Sequence, residues 1–436
     1  MSAPPQSMAP RPLWPLIWPL LLANLSAPLL GLVDMAVVGH LSAPSYLAAV
    51  AVGSSIFMFV YFTLNFLRMG TTGLVAQQRQ QPRQIAATAQ RALWTSLVLG
   101  VLLLALSPFW LPLSLTLMGA SDTVTALATT YTRLRLLAAP LALANMVLLG
   151  VAIGMQRPRL ALLITVSMHS SNAVLDVVLV HGLNMGVSGV AIASAIAELI
   201  GVTVGLWGLA DIFRHPEKEP LWQRRPMLSL FRLNRDLFLR SLALLSVFFF
   251  FTAQGARHGD AVVAANALLI SLFMLISNLM DAVAHAAEAR VGEAHGQRQP
   301  MLFKKAIYQS GRWALGLALC LALALLFGAP LLLPLMTPLE EVTNIAMVML
   351  PALLLLTLTA SAGFWLDGVF VGCTWSVAMR NTMLVAVAFF FVSWSLTRPW
   401  GNAGLWLSLN VLMLSRSVSM AWVLQQRWPK AAAAKT

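Results

Sequence analysis

Residues 13–41 read LWPLIWPLLLANLSAPLLGLVDMAVVGHL and contain one acid, Asp34, and no lysine or arginine. An apolar run of this length predicts a membrane helix, since about 20 apolar residues cross a bilayer. Comparable runs follow at 46–76, 88–117, 123–153, 159–181, 186–213, 236–257, 261–290, 306–335, 340–370, 377–397 and 402–426. We therefore predict an all-α integral membrane protein with twelve transmembrane helices.

The composition supports a membrane protein. Of the 436 residues, 59% are hydrophobic and only 10% are charged, whereas soluble proteins carry about 25% charged residues. The apolar runs are longer than the roughly 10-residue alternating strands of a membrane barrel. Both cysteines, Cys320 and Cys373, lie inside apolar runs, which argues against a disulfide framework or a metal cluster. We predict no cofactor.

The basic residues show how the chain crosses the membrane. They gather in alternate connections between the runs, at Arg79, Arg83, Arg91, Arg157, Arg159, Arg214, Lys218, Arg224, Arg225, Arg232, Arg235, Arg298, Lys304, Lys305, Arg312 and Arg380. The remaining connections carry mainly Arg257 and Arg398. Under the positive-inside rule this places both termini in the cytoplasm. The net charge of +13 therefore predicts cytoplasmic loops and no nucleic-acid partner.

The two halves of the chain repeat each other. HLSA from His40 matches HGDA from His258, and LMGASDTVT from Leu117 matches LMTPLEEVT from Leu335. We predict two pseudo-symmetric six-helix bundles, 13–213 and 235–428. A leader at 1–12, a linker at 214–234 and a tail at 429–436 complete the chain and are predicted to be cytoplasmic. Transporters often place their substrate cavity between such halves.

Asp34 is the first candidate functional residue. It lies roughly 10 Å from the outer end of its run, at about 1.5 Å per residue. A carboxylate at that depth costs about 2.5–3.5 kcal/mol on insertion scales. With no basic residue in the same run, it is suited to binding and releasing a proton. The alternative is a structural acid that is hydrogen-bonded to neighbouring helices.

A second polar group lies in the fifth and sixth runs. Asn172 and Asp176 are four residues apart and share one helix face. Ser194 and Asn145 are candidates to join them. This cluster is predicted either to bind a proton or cation or to hold helices together by hydrogen bonds.

A third group lies mainly in the second half. Asp281, His285 and Glu288 form one stripe of the eighth run, suited to a proton relay, to a cation or to a structural network with Arg290. Asp367 stands in the tenth run without an evident partner. Arg68, in the second run, is predicted to pair with an acid or to reach lipid phosphate.

Motifs that are absent narrow the function. The sequence contains no GxxxxGK[ST], no GxSxG and no HExxH, which are signatures of nucleotide binding, hydrolase and zinc-protease chemistry. We therefore predict that the protein is not an enzyme, and that uphill transport would draw on an ion gradient.

Several stretches together resemble the multidrug and toxic compound extrusion (MATE) family, in its DNA-damage-inducible protein F branch. They are PLLGLVDMAVVGHL at 28–41, FLRMGTTGLVAQ at 66–77, SNAVLDVVLVHGLNMGVSGVAIASAIAE at 171–198, AHAAEARVGEAHG at 284–296 and LDGVFVG at 366–372. The resemblance extends from about Leu13 to Trp428. It implies a V-shaped pair of six-helix bundles in the bacterial inner membrane that alternate between outward and inward openings.

The resemblance also implies a mechanism. A proton, or sodium in some relatives, binds the first half and displaces an amphiphilic or cationic drug. Asp34 would be the main protonation site, with Asn172, Asp176, Ser194 and Asn145 around it. Asp34, Asn172 and Asp176 are also the alternative Na⁺ site. The acids that another branch carries in helices seven and ten are missing here, since those runs read SVFFFFTAQGA and LPALLLLTLTAS. We expect a monomer.

One other function stays open from the sequence. Flippases for lipid-linked precursors share this architecture, and their central cavity is lined by cations that bind pyrophosphate. The candidate cations are Arg68, Arg133, Arg135 and Arg257. Three of them facing the cavity would favour a flippase.

Overall fold

The computed structural model describes residues 12–39, 44–214 and 224–433. Most of the predicted leader, His40, and residues 215–223 of the predicted linker with Lys218 lie outside these ranges. Sixteen α-helices form the described chain: α1 (Trp14–Gly39), α2 (Pro44–Leu64), α3 (Phe66–Gln77), α4 (Pro82–Ala105), α5 (Ser107–Met118), α6 (Asp122–Leu136), α7 (Ala139–Gly154), α8 (Pro158–Asp176), α9 (Gly186–Gly208), α10 (Ala210–Phe213), α11 (Arg224–Ala256), α12 (Asp260–Gly296), α13 (Pro300–Met336), α14 (Glu340–Gly372), α15 (Ser376–Thr397) and α16 (Asn402–Ala433).

The helices confirm the predicted fold class. Eleven helical segments in the described chain are long and apolar enough to cross a membrane, and a bent pair brings the number to twelve. Helices α2 and α3 act as one span, Ser45–Gln77. Helix α8 continues through a π-helical turn, Val177–Gly182, within the span Pro158–Gly182. No β-strand occurs in the three described ranges.

The bent span is the junction of α6 and α7, where the axis turns by 53°. Pro140 stands in the first turn of α7. Its ring excludes the carbonyl group four residues back, at Leu136, and it has no N–H to donate. Pro140 packs closely on α4, because a Cβ at Gly100 would lie 2.5 Å from its Cα. The bend therefore has a local cause.

Helix α1 packs on both halves of the molecule. Leu16 and Ile17 in its first turn, and Leu13 just before it, belong to the hydrophobic core formed with α11–α16. Trp14 stacks on Trp313 with 5.4 Å between ring centroids. Further along, its contacts are with α8 as well as α12, and Val37 and Val38 enter a core of the first half. Helix α1 thus packs on the second half at its start and on the first half near its end.

The two halves meet closely at the end of the bundle that carries the basic loops. Arg68 on α3 contacts Glu288 on α12, with 3.2 Å from Nη1 to Oε2. Arg79 contacts Glu293 at 2.6 Å, and Gln156 donates to the same carboxylate at 2.6 Å. These ion pairs and hydrogen bonds join the first half to the second.

Glycines let the backbones approach at this end, and we call Gly73, Gly292 and Gly296 the glycine seam. A Cβ at Gly73 would overlap the carbonyl oxygen of Val371, and one at Gly296 would overlap that of Gln77. A Cβ at Gly292 would lie 2.6 Å from the Cβ of Ala76. Small residues permit such close packing between membrane helices. The close contact of the two halves at this end therefore requires glycine, which has no side chain, at these three positions.

Adding one methyl group to the glycine seam is expected to push the halves apart. In Gly73→Ala the new Cβ meets backbone, which has no room to move. Overpacking of this kind costs about 1–3 kcal/mol, which corresponds to roughly a 5- to 100-fold shift away from the closed arrangement. The measurement is the yield of a short thiol cross-link between cysteines introduced by Arg79→Cys and Glu293→Cys, in a chain with Cys320→Ala and Cys373→Ala.

The matched control is Gly316→Ala on α13, where a Cβ meets nothing within 4 Å. The control is expected to cross-link like the parent chain. An unchanged cross-link in Gly73→Ala would mean that the seam does not hold the halves together.

Candidate ion-coupling site

Asp34 and Asp176 meet in the first half. Asp34 lies on α1 and Asp176 at the end of α8, and their carboxyl groups are within hydrogen-bonding reach of each other. Asp176 is fully buried. Two carboxyl groups form a hydrogen bond only when one of them carries a proton, because ionised carboxylates are acceptors only. This arrangement would allow the two acids to share one proton.

The surroundings of this pair leave polar atoms unmatched. Within the described ranges no donor reaches either carboxyl oxygen of Asp176 or Oδ1 of Asp34. Asn172, one turn before Asp176, is 4% exposed, and its amide Nδ2 has no acceptor there. Unpaired buried polar groups cost about 1–3 kcal/mol each and call for an explanation such as an unfilled ion site. Directly after Asp176 comes the π-helical turn, a feature frequent at functional sites.

Ser194 and Asn145 are the other two residues that were predicted to join this cluster. Ser194 is buried on α9, the helix that packs along α8. Asn145 does not donate to Asp176: its Nδ2 donates to Oε2 of Glu198 at 2.7 Å and to the Glu198 carbonyl oxygen at 2.9 Å. Gly201 makes room for the amide, since a Cβ there would lie 2.9 Å from it. Asn145 therefore belongs to a neighbouring group around Glu198.

Arg135 is the important residue that the sequence did not assign to this site. Its guanidinium donates to the hydroxyl of Tyr131 at 2.5 Å and lies 4.7 Å from the ring centroid of Phe57. It interacts electrostatically with Asp34, Asp176 and Glu198. The run that contains Asp34 has no basic residue, and the positive charge that acts on Asp34 comes from α6, in another span. The sequence does show Arg135 and Glu198 as charged residues inside apolar runs. It does not show that the two side chains interact.

The residues of the predicted stripe on α12, Asp281, His285 and Glu288, have different partners. Glu288 contacts Arg68 across the halves. Asp281 interacts electrostatically with Arg68, Arg240 and Arg416. Nδ1 of the buried His285 has no hydrogen-bond partner in the described chain. Arg290 lies 3.8 Å from Glu293, three residues further along the same helix.

Asp367 has two arginine partners. Arg240 on α11 and Arg416 on α16 both donate to its Oδ2. Arg416 is 1% exposed and Asp367 8%, so this is a buried ion triad. The three acids of the second half, Asp281, Glu288 and Asp367, thus face three arginines, Arg68, Arg240 and Arg416.

The charge balance differs between the halves. In the first half, three acids (Asp34, Asp176 and Glu198) interact with one arginine, Arg135. In the second half, three acids interact with three arginines. The acids of the first half therefore carry an excess of negative charge that protons or other cations would neutralise. The acids of the second half are balanced by Arg240 and Arg416 together with Arg68, which the first half contributes.

Aromatic residues occupy the matching place in the second half. Phe390 stands opposite Asn172 in the repeat. It is fully buried and packs edge-on against Phe250, with 5.8 Å between ring centroids. Phe391 and Trp394 complete the aromatic cluster around Phe250. The polar pair of the first half has no polar counterpart at these positions.

Known proteins share both the sequence and the fold. The MatE family profile matches residues 19–178 and 237–396, two segments with the same separation as His40 and His258. DNA damage-inducible protein F of Escherichia coli (strain K12) is 37% identical over 429 residues, which are 96% of this chain and 92% of that protein. A probable multidrug resistance protein NorM of Neisseria meningitidis serogroup A is 26% identical, with 95% and 94% coverage.

Solved structures give the same fold. An outward-facing multidrug resistance MATE family transporter of the MOP superfamily aligns with a TM-score of 0.82 at 23% identity, covering 96% of each chain. A MOP superfamily transporter from Pyrococcus furiosus aligns with a TM-score of 0.84 at 22% identity, again over 96% of each chain. Since the family profile covers most of both halves and a relative above 30% identity spans nearly the whole length, this chain belongs to the MatE family of membrane transporters.

Proposed function

We propose that this protein is a secondary multidrug exporter that exchanges protons for amphiphilic or cationic compounds. The observation that carries the proposal is the contact between the carboxyl groups of Asp34 and Asp176. The pair holds one proton and becomes a stronger cation site when that proton leaves. The names of the NorM relatives, which are probable multidrug resistance proteins, support drugs as the substrate class.

The proposed cycle uses alternating access. With the proton absent, the carboxylates of the first half attract a cationic compound. A proton arriving from the outside neutralises the pair, which weakens that attraction and releases the compound. The return step requires the glycine seam and the Arg79–Glu293 contact to separate, because they join the halves at the other end. Differential affinity of this kind is what allows an ion to shift a conformational equilibrium.

We further propose the bacterial inner membrane as the location, with both termini in the cytoplasm. The basic loops between α3 and α4, α7 and α8, and α12 and α13 support this orientation. The glycine seam then lies on the cytoplasmic side, and the described conformation is closed to the cytoplasm. The two six-helix halves supply both the site and the closure, so we propose that a monomer is sufficient.

Sodium is the alternative coupling ion. Oxygen atoms of Asp34, Asn172 and Asp176 are hard ligands of the type that alkali cations bind, and several of them have no partner. The proximity of the two carboxyl groups supports the proton, because two ionised carboxylates repel each other and a shared proton removes that repulsion.

The flippase alternative has less support. Of its four candidate cations, Arg68 is paired with Glu288, and Arg135 interacts with three acids and Tyr131. Arg133 and Arg257 are exposed. A pyrophosphate group requires cations whose charge is not already balanced. The acids beside Arg68 and Arg135 balance the charge of both arginines, so neither of them meets this requirement.

The test is export from proteoliposomes with an imposed pH gradient and no sodium. We expect a fluorescent cation such as ethidium to move against its gradient and to stop when an ionophore collapses the pH difference. Export that requires a sodium gradient would assign Na⁺ as the coupling ion. Failure of export under both gradients would overturn the proposed function.

A further inference from the structure

A second polar group lies around Glu198 on α9, one turn after Ser194. Arg135 links it to the Asp34–Asp176 pair, because its charge acts on all three acids. Asn145 holds one carboxylate oxygen of Glu198 at 2.7 Å. The amide is 3% exposed, and its other end, Oδ1, has no donor in the described part of the chain. This buried amide oxygen, close to a carboxylate, is available to accept from a protonated group or to bind a cation.

The bend between α6 and α7 creates this group. Arg135 stands one turn before the bend, and Asn145 lies on α7 after it. Both act on Glu198, Asn145 through a hydrogen bond and Arg135 through its charge. Broken membrane helices often form the binding sites of transporters, and here the break brings a fixed cation and an amide to the same carboxylate.

The charges of the first half can be counted. Asp34, Asp176 and Glu198 contribute three negative charges when ionised, and Arg135 contributes one positive charge that it keeps at any working pH. Ionised and empty, the site therefore has a charge of minus two. It is neutral with two protons, with one proton and a monocation, or with a dication.

Other titratable groups on the helices packed against α9 do not change this count. Tyr61 on α2 and Tyr131 on α6 are phenols, and the hydroxyl of Tyr131 accepts a hydrogen bond from Arg135. His169 on α8 has its Nδ1 at 2.8 Å from the hydroxyl of Ser26, and an ordinary imidazole is largely neutral above pH ~6.5. Arg133 on α6 and His181 in the π-helical turn are exposed.

We infer that Glu198 is a second cation-binding carboxylate of the substrate site and that it allows this transporter to export dications. A monocation needs only the charge of the Asp34–Asp176 pair, whereas a dication needs Glu198 as well. It follows that one proton is exchanged for a monocation and two for a dication, so that exchange is electrically neutral for both. This inference rests on the proposed function.

Ethidium and propidium are a matched pair of probes, since they share a phenanthridinium ring and propidium carries an additional quaternary ammonium group. The steady-state concentration ratio of each compound is measured in proteoliposomes at several imposed pH differences, without membrane potential. For the wild-type chain, the logarithm of this ratio is expected to rise with slope one for ethidium and slope two for propidium.

Glu198→Gln keeps the shape of the side chain and an oxygen for the amide of Asn145, but it removes the charge. We expect propidium export to fall at least tenfold more than ethidium export. Glu198→Asp, which restores the charge, is expected to recover part of the loss. The control is Glu340→Gln at the exposed start of α14, which is expected to leave the ratio of the two export rates unchanged.

The outcomes separate the two proposals. If wild-type protein exports neither dye under a pH gradient, the proposed function fails. If it exports both dyes and Glu198→Gln lowers their rates equally or leaves them unchanged, only the role of Glu198 is refuted. Equal slopes for both dyes in the wild type would likewise refute the charge-matched exchange.

Discussion

Asp34→Asn is expected to abolish export driven by a pH gradient, with a decrease of at least 100-fold in the initial rate of ethidium export. The asparagine amide keeps the size of the side chain and is able to donate to Asp176, so the helices need not move. It does not bind or release a proton in the working pH range. Without that exchange, substrate binding no longer depends on the proton gradient. The measurement is ethidium export from proteoliposomes that contain equal amounts of each protein.

Two controls make the result specific. Asp122→Asn removes an exposed acid at the start of α6 and is expected to export ethidium at the wild-type rate. Ethidium is expected to bind to Asp34→Asn in detergent with a weaker dependence on pH than in the wild type, which separates a coupling defect from a folding defect. Wild-type export by Asp34→Asn would refute the role of the acid pair.

Asp367→Asn is expected to destabilise the second half strongly. Arg240 and Arg416 both donate to one oxygen of Asp367, and all three side chains are buried. Removing the charge leaves two guanidinium groups without their shared carboxylate. Loss of one partner from a buried ion pair costs about 3–5 kcal/mol, a large part of the stability of most domains. The measurement is thermal unfolding of the purified protein in detergent.

The contrast with an exposed pair provides the control. Arg157 and Asp211 form a salt bridge at 2.5 Å with side-chain exposures of 35% and 56%, and exposed pairs contribute about 0–1 kcal/mol. Asp211→Asn is therefore expected to shift the unfolding temperature little. The triple change Asp367→Leu, Arg240→Met and Arg416→Met removes every charge and is expected to recover much of the lost stability. Equal unfolding temperatures for Asp367→Asn and wild type would contradict this account.

The membrane helices were the part of the fold that the sequence predicted well. Every predicted apolar run coincides with a long apolar helix or a bent helix pair, because about 20 consecutive apolar residues form a helix of bilayer length. The bend inside the run at 123–153 was missed, although Pro140 stands there. Proline within a membrane helix is often accommodated without a break, so its effect depends on the packing of Gly100 and its neighbours.

The site was predictable only where its residues share a run or the chain resembles a known family. Asn172 and Asp176 are related by helical spacing, and Asp34 stands out as an acid in an apolar segment. Partners on other helices were not predictable. Arg135 beside the acid pair, Asn145 on Glu198, and Arg240 and Arg416 on Asp367 all join residues that are distant in sequence. Which pairs form depends on the rotation of each helix about its axis, which hydropathy does not encode.

Positions in the glycine seam and positions that face lipid differ in the substitutions that they tolerate. Lipid-facing positions accept almost any apolar side chain, because lipid tails adapt their shape. At Gly73, Gly292 and Gly296 every other amino acid adds at least one carbon atom where a backbone or a Cβ already stands. Sequence drift along that edge of α3 and α12 is therefore confined by geometry, while the outer faces of the same helices are free to diverge.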